Sequence, residues 1–287
     1  MPQGESAMKS GSATWLGAAW CLLACGCTAL AGLDKPYHPA DGEAGGAGGA
    51  GGAGGGDGGG GGEIRGYQRC SDVPESLPDG AYTLDPDGDG PEEELLVHCG
   101  PPIDGDRWAL VYNSVGSEEG TTLAFWKFLY SDRLRSRGEP SIDNNHYQPA
   151  LYRVGREYRD EIEDRDGLAL EVMRASAEGI DTETMRFVNP VPVSGHGRIF
   201  EWQFAAGWSS TDYDGDTDDE NCAEHYAGVA QHYGYCFVYN LGADADDPYE
   251  DGGFGPHIAT DDATALGFVN DSTPYTRLNR ISRWTRW

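Results

Sequence analysis

An acidic stretch that runs straight into a cysteine sets the strongest limit on what this chain can become. Asp212-Tyr-Asp214-Gly-Asp216-Thr-Asp218-Asp219-Glu220-Asn221-Cys222 is followed, after thirteen residues, by Cys236-Phe-Val-Tyr-Asn240-Leu241-Gly242. Aspartates at alternate positions on an irregular loop concentrate oxygen donors where backbone carbonyls also turn inward, which is how Ca²⁺ is usually held. A loop this acidic orders only with help from a metal or a disulfide, and the stretch offers both. Such a site organises a surface for binding and carries no catalytic group of its own.

Charge and cysteine usage narrow the class. With 48 acidic against 20 basic residues the formal net charge is −28, which argues against a nucleic-acid partner. The nearest thing to a basic patch is Arg277, Arg280, Arg283 and Arg286, interleaved with Trp284 and Trp287. A cationic ligand, or a neutral sugar gripped through Ca²⁺, suits this balance better. Cys21, Cys25 and Cys27 lie in an apolar leader, leaving Cys70, Cys99, Cys222 and Cys236 for the body. Four cysteines allow three connectivities. Sequential pairing would close loops of roughly 30 and 15 residues, each contributing about 3 kcal/mol by the chain-entropy argument. An even set beyond an export leader implies an oxidising compartment.

The first 65 residues do not read as a fold. Lys9 and the apolar run 15–24 have the layout of an export signal. Leu22-Leu23-Ala24-Cys25 resembles a bacterial lipobox, which implies a signal peptide over 1–24, lipidation of Cys25, and an outer-membrane or cell-surface location; Cys27 offers a second frame. An ordinary cleaved signal and an uncleaved anchor are the other readings. Acyl chains on a cysteine would hold the protein to a membrane at about 0.8 kcal/mol per buried CH₂. Residues 25–65 form a tether, since 44–62 is a Gly-Gly-Ala repeat broken by Asp57, too poor in apolar surface to order itself. The body occupies 66–287.

Within the body, short aromatic and β-branched runs at 108–115, 168–173, 185–193, 199–204 and 281–287 alternate with Gly, Pro, Asp and Asn clusters. That is a strand-and-turn signature. Residues 121–130 recur apolar near helical spacing, and 152–162 does so more weakly. The expected class is α+β with long acidic loops after residue 205.

The order of motifs resembles a fibrinogen-like (fibrinogen C-terminal) globular domain over about 66–287. Cys70-Ser-Asp-Val, Gly80-Ala-Tyr82-Thr-Leu84-Asp-Pro86, Cys99 and Trp108-Ala-Leu-Val111 match the family's opening. Asp212-x-Asp214-x-Asp216, Asn221-Cys222-Ala223, Cys236, Asn240-Leu241-Gly242 and Tyr249 match its far end. The ending Arg280-Ile-Ser-Arg-Trp-Thr-Arg-Trp287 resembles bacterial members. The resemblance implies a twisted antiparallel sheet with short helices and long Ca²⁺-organised loops, and disulfides Cys70–Cys99 and Cys222–Cys236. It implies Ca²⁺ on the side chains of Asp214 and Asp216 and the backbone oxygens of Asp218 and Glu220, with Asp212 shaping the loop.

The family's ficolin- and tachylectin-like lectins carry an acetyl-sugar pocket beside this site. Tyr226 and the Tyr235–Cys236 peptide, cis in those lectins, occupy its positions here, while Phe237 replaces the usual histidine and 243–255 is an insertion. In the related intelectins Ca²⁺ grips a sugar diol with His and Glu nearby, which points to Glu224, His225 and His257. The resemblance thus implies a non-enzymatic, surface-displayed, calcium-dependent recognition module for an extracellular glycan or a surface protein. Two alternatives stand beside it. One is a metal-dependent hydrolase built on His225, His232 and His257; the other is an adhesive surface protein in which Ca²⁺ serves stability alone.

Weaker signals read as structure. Asp85-Pro-Asp87-Gly-Asp89-Gly90 resembles half an EF-hand, but Leu96 stands where the bidentate Glu belongs, so a tight turn is expected. Asn270-Asp-Ser272 fits a glycosylation acceptor. Trp108, Trp202, Trp208 and Trp284 are aromatic platforms in principle, and Trp108 and Trp284 are expected in the core. No Gly-x-Ser-x-Gly nucleophile elbow occurs.

Overall fold

The computed structural model describes residues 66–88, 90, 93–116, 121–242, 255–268 and 274–287. The leader with Cys25 and Cys27, the Gly/Ala tether, Asp89, Tyr249 with most of the 243–255 insertion, and Asn270 lie outside them.

Fourteen strands are seen among these residues. They are β1 (Gly80–Leu84), β2 (Leu95–Ile103), β3 (Asp106–Val115), β4 (His146–Tyr147), β5 (Glu157–Asp164), β6 (Ala169–Ser176) and β7 (Ile180–Asp181). The remainder are β8 (Arg186–Phe187), β9 (Val191–Gly195), β10 (Gly207–Ser209), β11 (Gln231–Tyr233), β12 (Tyr239–Asn240), β13 (His257–Ala259) and β14 (Tyr275–Arg286). The main sheet runs β1-β2-β3-β14-β5-β6-β9, antiparallel throughout, with β4 added to β3 and β12-β13 added to β14. A separate ribbon pairs β10 with β11. The expected α+β class with short helices is what forms.

Strand β14 explains why the sheet assembles in this order. Its arginines meet the carboxylates of β5 in register: Arg286 opposite Glu157, Arg283 opposite Asp160, Arg280 opposite Glu163. Arg280 and Arg286 form ion pairs with Glu161, Glu163, Glu157 and Asp106 at 2.6–2.9 Å. The arginine-rich ending is therefore an internal charge match, not a patch for an outside anion. A one-residue slip would turn every pair to the wrong face.

Arg283 points inward, and both it and Asp160 are fully buried. Its Nε and Nη2 donate to the two Asp160 oxygens at 2.7 Å, and Nη2 also reaches the Gln203 carbonyl at 2.9 Å. Tyr239 donates its hydroxyl to Asp160 at 2.6 Å, and the Tyr112 hydroxyl lies 2.7 Å from that of Tyr239. Burial works against the Arg283 charge, but Asp160 outweighs it and holds the guanidinium pKa above its ordinary value. Burial raises the pKa of Tyr112 and Tyr239, so both remain neutral donors. The opposite face of the sheet buries Trp108, Leu110 and Trp284, as expected of the first and last. Gly100 permits this: a Cβ there would stand 2.8 Å from the Trp284 ring, so only glycine lets β2 pass beneath the indole.

Three expected elements are corrected. The helix over 121–130 ends early, as α1 (Thr121–Trp126). Trp126 and Phe128 both bury, and residues two apart cannot share one helix face. The helix over 152–162 is only the turn α2 (Leu151–Val154); from Glu157 the chain is strand, with Tyr158, Asp160 and Ile162 alternating inward. The strand expected at 199–204 is instead α3 (Gly197–Ile199) running into a π-helical turn, Phe200–Phe204. Ile199, Gln203 and Phe204 then bury together, and Gln203 bonds the His232 carbonyl at 2.8 Å and the Tyr239 amide at 3.0 Å. The run 185–193 is strand in two pieces, broken by Asn189-Pro190. Asp85–Gly88 is a turn, with the Gly88 amide on the Asp85 carbonyl at 3.2 Å.

His232 on β11 makes a prediction. Its Nε2–H donates to the Met185 carbonyl at 2.7 Å and its ring stacks on Phe187. Burial first, then the Arg283 charge, lowers its pKa to about 3. The unfolded chain therefore takes up a proton near pH 6.5 that the folded chain refuses. The resulting stability is complete above pH 6.5 and is lost as pH falls toward 3, with a slope of at most about 1.4 kcal/mol per pH unit. His232→Gln should flatten the pH dependence of the urea midpoint between pH 6.5 and 4. An unchanged slope would refute this.

Candidate functional site

The acidic loop hangs between β10 and a short helix, α4 (Cys222–His225), and Ser209 at the end of β10 is its hub. The Ser209 hydroxyl accepts the amides of Gly215 and Asp216 at 3.0 and 3.1 Å and donates to Asp216 Oδ2 at 2.9 Å. Asp216 Oδ2 also takes the Cys222 amide at 3.1 Å, and Oδ1 takes the Asp218 amide at 3.0 Å. Asp218 repeats the pattern more weakly toward the Glu220 amide at 3.4 Å. Each carboxylate thus folds the chain back two residues on, the local bond that lets Asp-rich segments turn without a ladder. The Arg186 guanidinium binds the Gly215 carbonyl, and a Cβ at Gly207 would overlap that same oxygen.

Asp212 anchors the loop. Its Oδ1 accepts the Tyr130 amide at 2.8 Å and the Ser210 hydroxyl at 2.7 Å, while Tyr213 stacks on Tyr130 with centroids 3.8 Å apart. Burial opposes the Asp212 charge, but these hydrogen bonds outweigh it and lower its pKa. Asn221 caps α4 by accepting the Glu224 amide at 3.1 Å and ties back to the Ser210 carbonyl at 2.9 Å.

Asp216 behaves differently. Burial raises its pKa, Asp214 adds to the rise, and the hydrogen bonds only partly offset both. A half-buried carboxylate beside a second one is short of positive charge, and the side-chain ligand atoms that the stretch 212–220 offers are all oxygen. The residues fit a hard cation of the Ca²⁺ kind. They do not fit a soft metal. Among the described residues the group with metal-ligand spacing is Asp218 with Cys222 and Cys236, whose sulfurs are joined to each other. Both disulfides, Cys70–Cys99 and Cys222–Cys236, are present, as a chain folded in an oxidising compartment would form them.

The expected ligand residues divide into two surfaces. Tyr226 packs edge-on against Phe237 at 4.6 Å, with His225 at 4.7 Å from the Tyr226 ring; Phe237 in turn lies 5.4 Å from Tyr275. Phe237 is buried and joins the disulfide, Ala223 and Tyr233 in a small apolar cluster. Tyr235 lies outside that cluster, 63% exposed, with its ring 5.6 Å from Trp202; the Arg198 guanidinium lies 4.3 Å over Trp202. Cys236 takes a positive φ of 55°.

The histidines do not assemble into a metal centre. His225 is exposed, Glu224 beside it is exposed, and His257 is buried on β13. His232 is a core residue. None of the three joins a metal-binding group of three among the described residues. Reasoning from sequence missed Ser209, Arg186 and Gly207, which carry no local signal. Asn221 was readable as an N-cap from its place before a helical turn.

No family model and no curated protein sequence matches the chain. Solved structures do. The fibrinogen-like globe domain of human ANGPTL6 superposes with a TM-score of 0.52 at 18% identity, covering 77% of this chain and 95% of that one. The fibrinogen-like globe domain of human ANGPTL2 gives a TM-score of 0.52 at 15% identity, covering 77% and 98%. The likeness is one of fold, and the body of this chain has the fibrinogen-like globular fold.

Proposed function

We propose that this chain is an exported, surface-displayed recognition module whose ligand is a carbohydrate bound with the help of Ca²⁺. The observation that carries the reading is Asp216: a half-buried carboxylate fixed by Ser209, crowded by Asp214, and set against the Cys222–Cys236 disulfide. Asp214, Asp216 and the backbone of Asp218 and Glu220 would hold the ion, and the ion would fix the loop and present an electrophilic centre to sugar hydroxyls. Tyr235, exposed beside the partly buried Trp202, adds an aromatic face suited to stacking against the apolar side of a sugar ring. Phe237 fills the space between Tyr226 and Tyr275, so recognition of an acetyl group at that point is not part of the proposal. The lipobox at Cys25 and the Gly/Ala tether support display from a bacterial outer membrane.

A glycan array probed with the full chain in Ca²⁺ and in EDTA tests this. Binding to at least one glycan class in Ca²⁺, lost in EDTA and weakened about ten-fold by Tyr235→Ala, a stacking contribution of roughly 1.4 kcal/mol, is expected. Binding indifferent to EDTA, or none to any glycan, would leave the adhesive, protein-binding reading in its place.

A further inference from the structure

The register that turns Arg283 and Asp160 into the core turns their neighbours to the other face of the sheet. Arg159 and Trp284 stand directly opposite each other on β5 and β14, and Leu110 on β3 is the next partner of Trp284. On that face Arg159 and Trp284 line a cavity of about 590 Å³, a volume within the range of small-molecule sites. His98, its ring 6.0 Å from that of Trp284, and the apolar Pro101, Ile103 and Ile142 also line it.

Two donors in this lining are left over. Arg159 and Trp284 are each only 3% exposed. Arg159 gives Nη1 to Glu161 at 3.1 Å, and its guanidinium is held against the Trp284 and Trp108 rings at 5.1 and 5.6 Å. Its Nε, however, is shut off from solvent and has no hydrogen-bond partner in the protein, and the same holds for Nε1 of Trp284. Burying such a group unpaired is costly, which is why folded proteins leave few of them. Guanidinium and indole nitrogens are donors only, so what completes them is an acceptor. Among the described residues, no buried acceptor in the lining is left over beside them.

Charge decides which kind of acceptor. Arg280, also in the lining, is committed to Glu161 and Glu163 at 2.7 and 2.9 Å. Arg159 and Arg280 therefore stand against Glu161, Asp79 and Asp143, with no positive charge in surplus. The overall charge of −28 adds to the repulsion of an anion. A carbonyl oxygen brings two lone pairs without a charge, and the hydrocarbon beside it suits the proline and isoleucine walls.

We propose that this cavity binds a small neutral carbonyl compound, its oxygen at the Nε1–H of Trp284 and the Nε–H of Arg159 and its hydrocarbon body against Pro101, Ile103 and Ile142. The test is a titration of the ¹⁵N-labelled full chain with 1-indanone, read on the tryptophan indole N–H signals. Trp284→Phe identifies the relevant signal by its loss. Indane, which has the hydrocarbon and no acceptor, and indane-1-carboxylate, which has acceptors and a charge, are the controls. Saturable binding of 1-indanone is expected, with the Trp284 indole proton moving downfield as it gains a partner. Indane should bind about ten-fold more weakly and leave that proton in place, the factor a single buried hydrogen bond contributes. Arg159→Lys, which keeps a charge for Glu161 and removes Nε, should weaken 1-indanone about five-fold. Ala81→Phe, at an exposed position of the lining and clear of the core, should abolish binding with the rest of the spectrum unchanged. Indane binding as tightly as 1-indanone, a Trp284 indole signal that does not move, or binding that survives Ala81→Phe would overturn the proposal. So would the carboxylate binding as tightly as the ketone, or no saturable binding of 1-indanone.

Discussion

Replacing Arg283 with Met should cost about 3–5 kcal/mol of folding stability, because it strands a buried carboxylate. Asp160 is fully buried, and its two oxygens depend on Arg283 at 2.7 Å and on the Tyr239 hydroxyl. Removing the guanidinium also frees the Gln203 carbonyl that it bonds at 2.9 Å. Against a typical domain stability of about 5–15 kcal/mol the loss is a large fraction. Asp160→Asn should cost nearly as much, since a neutral amide cannot hold the fork at both ends. The pair together is a different case. A well-packed Arg283→Met, Asp160→Leu double variant removes both charges and should recover most of the loss, because buried pairs contribute little beyond an apolar equivalent. The exposed pair Arg174–Asp104 is the control: Asp104 is 61% exposed, and its loss should leave the urea midpoint nearly unchanged. Urea denaturation of the four variants, with disulfides intact, gives the comparison. A cost below about 1 kcal/mol for Arg283→Met would mean that water reaches Asp160 and that the network is not the keystone described.

That network also marks where sequence reading stopped. The strands at 108–115, 168–173 and 281–287 were legible because aromatic and β-branched residues alternate there between turn formers. The cysteine pairing and the acidic loop were legible because motif order, not propensity, carried them. Tyr152 to Ile162 was not. Tyr158, Asp160 and Ile162 bury on one side of β5, but Asp160 looks like a surface residue until Arg283, more than a hundred positions away, is placed opposite it. Gln203 misled in the same manner. Its amide serves β11 and β12 from a π-helical turn, so the apolar run around it looked like a strand. In the loop, the aspartates announced themselves, whereas Ser209, which orients Asp216, has no spacing to betray it. Its role depends on the β10–β11 ribbon that brings the end of one strand under a turn six residues later.

Calcium should stabilise the metal-free protein by about 4 kcal/mol at a thousand-fold excess over its dissociation constant, by mass action alone. For a body of this size that is a rise in melting temperature of roughly 10 °C. The physical source is Asp216, whose carboxylate is half buried and crowded by Asp214 and so gains most from a bound cation. Asp214→Asn and Asp216→Asn should each abolish the response. Asp212→Asn should not. That carboxylate is occupied with the Tyr130 amide and the Ser210 hydroxyl, so its loss should lower the melting temperature in EDTA and in Ca²⁺ alike while leaving the difference between them. Magnesium should substitute poorly, because it demands a tighter octahedral shell than a loop of side-chain and backbone oxygens provides. Differential scanning calorimetry of the disulfide-intact protein separates these cases. Equal melting temperatures in EDTA and Ca²⁺, or a full response in Asp216→Asn, would remove the cation from the loop and leave its order to the hydrogen bonds of Ser209, Asp212, Asn221 and Arg186 and to the Cys222–Cys236 disulfide.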